Sequence, residues 1–122
     1  MPHMHNRGKR QCLEAIYPDM RVEQLNCVNY DFNWQIVYNY ADNVAPLLPA
    51  GTIMHVISWH DNSASKANPD PRNWVGSGNR TIDEMGFAWI TWYDYTDDEY
   101  KVELEARKGA KKTTTTSQAQ PQ

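Results

Sequence analysis

The sequence has no excess of positive charge. The 12 Lys and Arg residues are outnumbered by 15 Asp and Glu, giving a net charge of -3 and a pI of about 5.7. No basic face is implied, so nucleic acid is not an expected partner. Long apolar runs are missing as well. None approaches the ~20 residues of a membrane helix, and no membrane partner is expected. Cysteine is scarce: Cys12 and Cys27 are too few for a disulfide-built fold and lack a Cys-x-x-Cys spacing. No signal peptide is legible, because Met1-Pro2-His3-Met4-His5 is polar and leads into Arg7, Lys9 and Arg10. Helical periodicity is the last absence: no amphipathic stretch of ten or more residues stands out.

What is there suits one soluble domain. With 122 residues the chain has room for a single core, and 40% hydrophobic residues exclude a wholly disordered polymer. The dominant period is two. Phe32, Trp34, Ile36, Tyr38 and Tyr40 alternate with Asn33, Gln35, Val37 and Asn39, which predicts a strand with one aromatic face. Leu13, Ala15 and Tyr17 alternate in the same way. Thr52 to Trp59 is β-branched and apolar, after a Pro49-Ala50-Gly51 turn. Phe87 to Trp92 reads as an aromatic strand, and Tyr100, Val102 and Leu104 alternate once more. Short strands between Pro, Gly and Asn turns predict an all-β sandwich or barrel over residues 1–106. Arg107-Lys108-Gly109-Ala110-Lys111-Lys112 and the polar run that follows cannot bury a face. Residues 107–122 are therefore expected to be a disordered tail. The strand signal starts almost at Met1, as in a chain that begins inside a strand or forms the C-terminal part of a larger protein.

Two motifs can carry metal chemistry. On a strand, His3 and His5 share a face, close enough for two imidazoles to hold one ion. A surface histidine pair would look the same. An amino-terminal copper site through the amide of residue 2 is excluded, since Pro2 has no amide proton. Met85, in Asp83-Glu84-Met85-Gly86-Phe87, is either core filler or a thioether ligand, a soft donor that favours Cu(I). Zinc sites rarely use thioether.

In sequence, His3-Met4-His5-Asn6-Arg7-Gly8-Lys9 resembles the His-x-His-x-x-Gly-Lys motif of the copper type II, ascorbate-dependent monooxygenases. That family includes peptidylglycine α-hydroxylating monooxygenase and dopamine β-monooxygenase. Asp83-Glu84-Met85 before an aromatic strand resembles its Asp-Glu-Met motif, in the same order and at similar spacing. Tyr17-Pro18-Asp19, Tyr30-Asp31-Phe32-Asn33-Trp34-Gln35 and Asp61-Asn62-Ser63 look like segments of bacterial relatives, and the resemblance covers about residues 3–95. It implies a jelly-roll-like antiparallel β-sandwich. It implies that His3, His5 and Met85 bind the copper at which dioxygen is activated for hydroxylation at a C–H bond of a small-molecule or peptide substrate. In the full enzymes a second copper, on a preceding N-terminal domain, supplies an electron. This chain carries no counterpart of that domain or of the first strands of the C-terminal domain, so catalysis would need an upstream copper or redox domain or a separate chain. Gly86 replaces the cysteine that follows the family's methionine ligand. A non-catalytic copper module for storage or delivery, or a β-sandwich interaction domain, is the alternative. The resemblance also implies a secreted or periplasmic location.

The remaining titratable residues point elsewhere. His55 is expected to pack or hydrogen-bond within its strand, and His60 to open a long loop. Asp83 and Glu84 are adjacent, so on a strand they face opposite ways and make a poor acid–base pair. Glu84 is expected to be solvated. Arg7 and Lys9 receive no role.

The cysteines can be placed by register. A hairpin that turns at Asp19-Met20, with Pro18 opposite Arg21, pairs Tyr17 with Val22 and Leu13 with Asn26, and sets Cys12 opposite Cys27. Directly opposed residues have Cβ atoms about 4.5–5.5 Å apart, slightly beyond the usual disulfide span. A secreted setting would favour the bridge. A one-residue change in the turn would instead leave two thiols on different faces.

Overall fold

A computed structural model of the chain describes residues 1–66 and 68–117. Among the described residues five strands and one helix follow in order: β1 Pro2–Met4, β2 Gly8–Ile16, β3 Val22–Asn29, β4 Ile53–His60, β5 Gly86–Ala88 and α1 Asp97–Ser117. All strand pairs are antiparallel. They form a two-stranded sheet, β1-β5, and a three-stranded sheet in the order β3-β2-β4. The antiparallel strand content that the two-residue period implies is therefore present, with a helix in addition. The chain divides into two compact units. The first comprises Met1–Asn39 and Leu48–Ile90, and the second Tyr40–Leu47 and the chain from Thr91 onward.

The first unit is organised by β2. Its central position lets it pair with β3 on one side and β4 on the other. Cys12 and Ala15 are buried along it, joined by Tyr17, Tyr30 and the fully buried Met4. At the β2–β3 turn the Met20 amide donates to the Tyr17 carbonyl at 2.8 Å, with Pro18 and Asp19 between them. Met20 takes a positive φ of 66°, and the Tyr17 amide then donates to Arg21 at 2.9 Å. The loop is thus three residues long, one more than the sequence predicts. Ahead of β4, Gly51 turns the chain at φ 86°. That conformation suits glycine because it has no Cβ, and the Pro49-Ala50-Gly51 turn is as expected.

Three parts of the sequence reading are corrected. Residues 32–40, the expected aromatic strand, pair with no strand among the described residues. Asp31 starts a turn instead: its side chain accepts from the Asn33 amide at 2.8 Å and its carbonyl from the Trp34 amide at 3.0 Å. Such local bonds compete with a ladder, and Trp34 is 70% exposed. The strand expected over Phe87 to Trp92 is confined to Gly86–Ala88. The third correction is α1. It absorbs Tyr100, Val102 and Leu104, read as a strand, and residues 107–117 of the expected disordered tail. Residues 118–122 of that tail lie outside the described residues.

Local chemistry explains the helix. Thr96 caps it, and Glu99 reaches back so that its carboxylate accepts from the Thr96 amide and hydroxyl, both at 2.8 Å. Asp97, Asp98 and Glu99 place negative charge in the first turn, where the helix dipole favours it. One turn apart, Arg107 bonds Glu103 at 2.7 Å, and the same guanidinium donates to the carbonyls of Asp42 and Ala45. The chain from Asp97 to Arg107 is rich in Glu, Lys, Ala and Arg, which lose little freedom on entering a helix.

Candidate metal centre

The histidine pair sits at one end of the β1–β5 ladder. The register places His3 opposite Phe87 and Met4 opposite Gly86. One step on, the His5 amide donates to the Met85 carbonyl at 3.3 Å. Residues opposite one another in an antiparallel pair share a face. His3, His5 and Met85 are therefore on the same side of this ladder, although 80 residues separate His5 from Met85 in the chain. To assemble these ligands the first strand has to lie beside the Phe87–Trp92 segment, and β1 pairs with the start of it, Gly86–Ala88.

The strand is fixed from behind by Met4, which points the other way and is fully buried. The Met4 carbonyl accepts the Tyr30 hydroxyl at 2.5 Å. Gly8 lies against the Met4 side chain. A Cβ at Gly8 would stand 2.5 Å from Met4 Cβ and 2.9 Å from its sulfur. This close approach accounts for the glycine that ends the His5–Gly8 turn, where the Gly8 amide donates to the His5 carbonyl at 2.9 Å.

The two imidazoles are 5.5 Å apart between ring centres and nearly perpendicular. His5 is only 4% exposed. Its Nδ1 faces the Asp83 carbonyl at 3.1 Å. A carbonyl can only accept, so this nitrogen carries the proton and Nε2 keeps its lone pair. The Nδ1 of His3 faces Gln35 Oε1 at 2.7 Å. Neither Nε2 has a hydrogen-bond partner among the described residues. Engaging the outer nitrogen by an acceptor is the usual arrangement for a histidine that ligates metal through the other. Phe87 and Trp89 flank His3 at 4.8 and 5.4 Å between ring centres, and Phe32 stands 6.4 Å from His5.

Among the described residues, no three His, Cys, Asp or Glu side chains form a group that could hold a metal ion. Two imidazoles alone make a weak site, so the third donor would have to be of another type. Met85 is the residue whose backbone register offers one. The donor set fits a soft ion: two imidazole nitrogens and a thioether suit Cu(I).

Polar residues line the other side of the 82–85 segment. Glu84 is half-buried, with its carboxylate 3.2 Å from His60 Nε2 and 4.0 Å from Arg7 Nη1. The expectation that Glu84 is solvated is corrected, because the end of β4 brings His60 against it. His60 is the last residue of that strand. Arg7 is 6% exposed and donates to the Ile82 carbonyl at 2.8 Å. It ties the turn after β1 to the segment that carries Met85, a role its position in the sequence did not reveal. Asp83 is gripped by Arg80, with Nη2 at 2.6 Å from Oδ1. These hydrogen bonds hold the Asp83 carboxyl below its ordinary value. Asp83 and Glu84 lie before β5 rather than in it, and their carboxylates have different partners, Arg80 for Asp83 and Arg7 with His60 for Glu84. His55 bonds Glu14 across the β2–β4 pair at 3.3 Å, as a sheet residue.

Compared with known proteins, the chain matches no family model, no curated protein and no solved structure.

Proposed function

We propose that the chain is a copper-binding β module of the kind that activates dioxygen in the copper type II, ascorbate-dependent monooxygenases, with a jelly-roll-like sandwich as its architecture. His3 and His5 would hold copper through Nε2, and Met85 through its thioether. Bound copper would supply one-electron chemistry with dioxygen toward hydroxylation of a C–H bond. Electrons would come from a reductant by way of a partner domain or chain. The observation that carries this reading is the paired orientation of the imidazoles: both Nδ1 atoms face acceptors, and both Nε2 atoms are left without a partner.

The chain's own residues prepare such a site. Asp83 fixes the His5 ring through its main-chain carbonyl, which binding cannot displace as easily as a mobile side chain. Arg80 and Arg7 hold the turn that delivers this carbonyl. Burial of His5 keeps water from one side of the ring. The aromatic neighbours of His3 leave a weakly polar approach on the other.

Titration of the reduced, metal-free protein with Cu(I), followed by X-ray absorption, tests the reading. One equivalent should bind with both nitrogen and sulfur scattering, and the sulfur contribution should vanish in Met85→Ile. Unchanged affinity and spectrum in Met85→Ile would remove Met85 from the site. Failure of the wild-type protein to bind copper would remove the functional reading itself.

A further inference from the structure

We propose that Gln35 is a positioning residue for the metal site: its amide dictates which nitrogen of His3 carries the proton. The inference rests on the copper reading for its consequence, but the device itself is a feature of the metal-free chain.

The argument begins with an ambiguity in the residue types. An imidazole Nδ1 can donate or accept, and so can the end of a glutamine side chain, depending on which way the amide points. Contact between His3 and Gln35 does not by itself fix a tautomer. A third group breaks the ambiguity. Gln35 Nε2 donates to the Phe32 carbonyl at 3.0 Å. A carbonyl has no proton to give, so the NH2 end must face Phe32 and the oxygen must face His3. Gln35 Oε1, an acceptor only, then lies 2.7 Å from His3 Nδ1. His3 must carry its proton on Nδ1, which leaves the Nε2 lone pair available to a metal.

The Phe32 carbonyl is held in turn by the Asp31 turn. The Asp31 carboxylate accepts from the Asn33 amide, and its carbonyl from the Trp34 amide. That turn is the feature that breaks the expected 32–40 strand. The irregular segment is what brings Gln35 back toward β1, 32 residues from His3 in the chain. The two ligands are therefore oriented differently. His5 is set by a main-chain carbonyl, which no substitution of Asp83 removes, whereas His3 is set by a side chain that can be replaced.

Nitrogen-15 NMR of the histidine rings in metal-free protein reads the device directly. Wild type should show His3 protonated at Nδ1, and Gln35→Leu should move that proton to Nε2. Gln35→Glu keeps an acceptor at His3 and should keep the tautomer. Loss of the outer partner of a ligating histidine typically weakens metal binding by roughly 10- to 100-fold, so Cu(I) affinity should fall by that factor in Gln35→Leu and recover in Gln35→Glu. An Nε2-protonated His3 in wild type, or an unchanged tautomer in Gln35→Leu, overturns the proposal whatever copper does. A switched tautomer with unchanged Cu(I) affinity overturns the positioning role. If Gln35→Leu does not fold, the wild-type and Gln35→Glu spectra still decide. Absence of copper binding in wild type would instead be a failure of the functional reading, with the NMR result standing apart from it.

Discussion

Cys27 lies directly opposite Cys12 across the β2–β3 pair, and their sulfurs are bonded. The alignment arises from two departures that offset each other. The turn holds one residue more than a two-residue hairpin loop, which pairs Ile16 with Val22 and Glu14 with Gln24. A bulge between Leu13 and Glu14 then passes over Leu25, and Leu13 meets Asn26. From that point to the cysteines the register is the one expected from the sequence. A bulge adds one residue to one strand only, so it can reverse a slip of one residue without moving either strand to its other face.

The bridge closes a loop with a sequence separation of 15. In the chain-entropy account a loop of that size contributes about 3 kcal/mol. Intact mass without reductant should show a protein two hydrogens lighter than the dithiol form, by about 2 Da. Unfolding in denaturant should move to lower concentration when reductant is added. The double variant Cys12→Ala/Cys27→Ala should unfold at the same midpoint with and without reductant. A midpoint that ignores reductant in the wild type would mean that the bridge carries no stability.

Gly8 is the most constrained residue of the His-x-His-x-x-Gly-Lys segment. Any Cβ there meets Met4 Cβ at 2.5 Å, and Met4 is fully buried. Overpacking of this kind costs about 1–3 kcal/mol. Gly8→Ala should lower the denaturation midpoint accordingly, and Met4→Ala in the same chain should recover part of the loss by removing the clashing side chain. If Gly8→Ala is as stable as wild type, the close approach of Gly8 to Met4 is wrong.

The sequence made the β2–β3 hairpin legible because its signals are local: a Pro-Asp turn flanked by alternating residues. The resemblance named His3, His5 and Met85 as one set, and the backbone pairing of β1 with β5 puts His5 beside Met85. The sequence failed where a long-range or competing interaction decides. The alternation from Phe32 to Tyr40 is real, but a strand needs a neighbour, and the Asp31 turn satisfies the backbone first. Gln35, Arg7 and His60 were missed as parts of the site because their partners, the His3 ring, the Ile82 carbonyl and the Met85 carbonyl, are 32, 75 and 25 residues away. No pattern within a window of the sequence contains such pairs. The helix was missed for a different reason. The Thr96-x-x-Glu99 capping box and the Glu-, Lys- and Ala-rich run carry a helix signal, which the alternation of Tyr100, Val102 and Leu104 hides.

That cap supplies a test of the helix by pH. Hydrogen bonds from the Thr96 amide and hydroxyl hold the Glu99 carboxyl below its ordinary value. A carboxyl whose folded value is depressed stabilises the folded form above the unfolded value and loses that contribution as pH falls through the folded value. Helical circular dichroism should therefore fall on the acid side of the ordinary glutamate range. Asp97 and Asp98 also stabilise the first turn through the helix dipole, so the difference between wild type and Glu99→Gln isolates the cap. That variant should show a shallower acid transition. Thr96→Ala removes the other half of the box and should cost about 1 kcal/mol of helix stability, as N-cap losses do. Identical acid transitions in wild type and Glu99→Gln would show that Glu99 does not cap α1, and the start of the helix at Asp97 would lose its local cause.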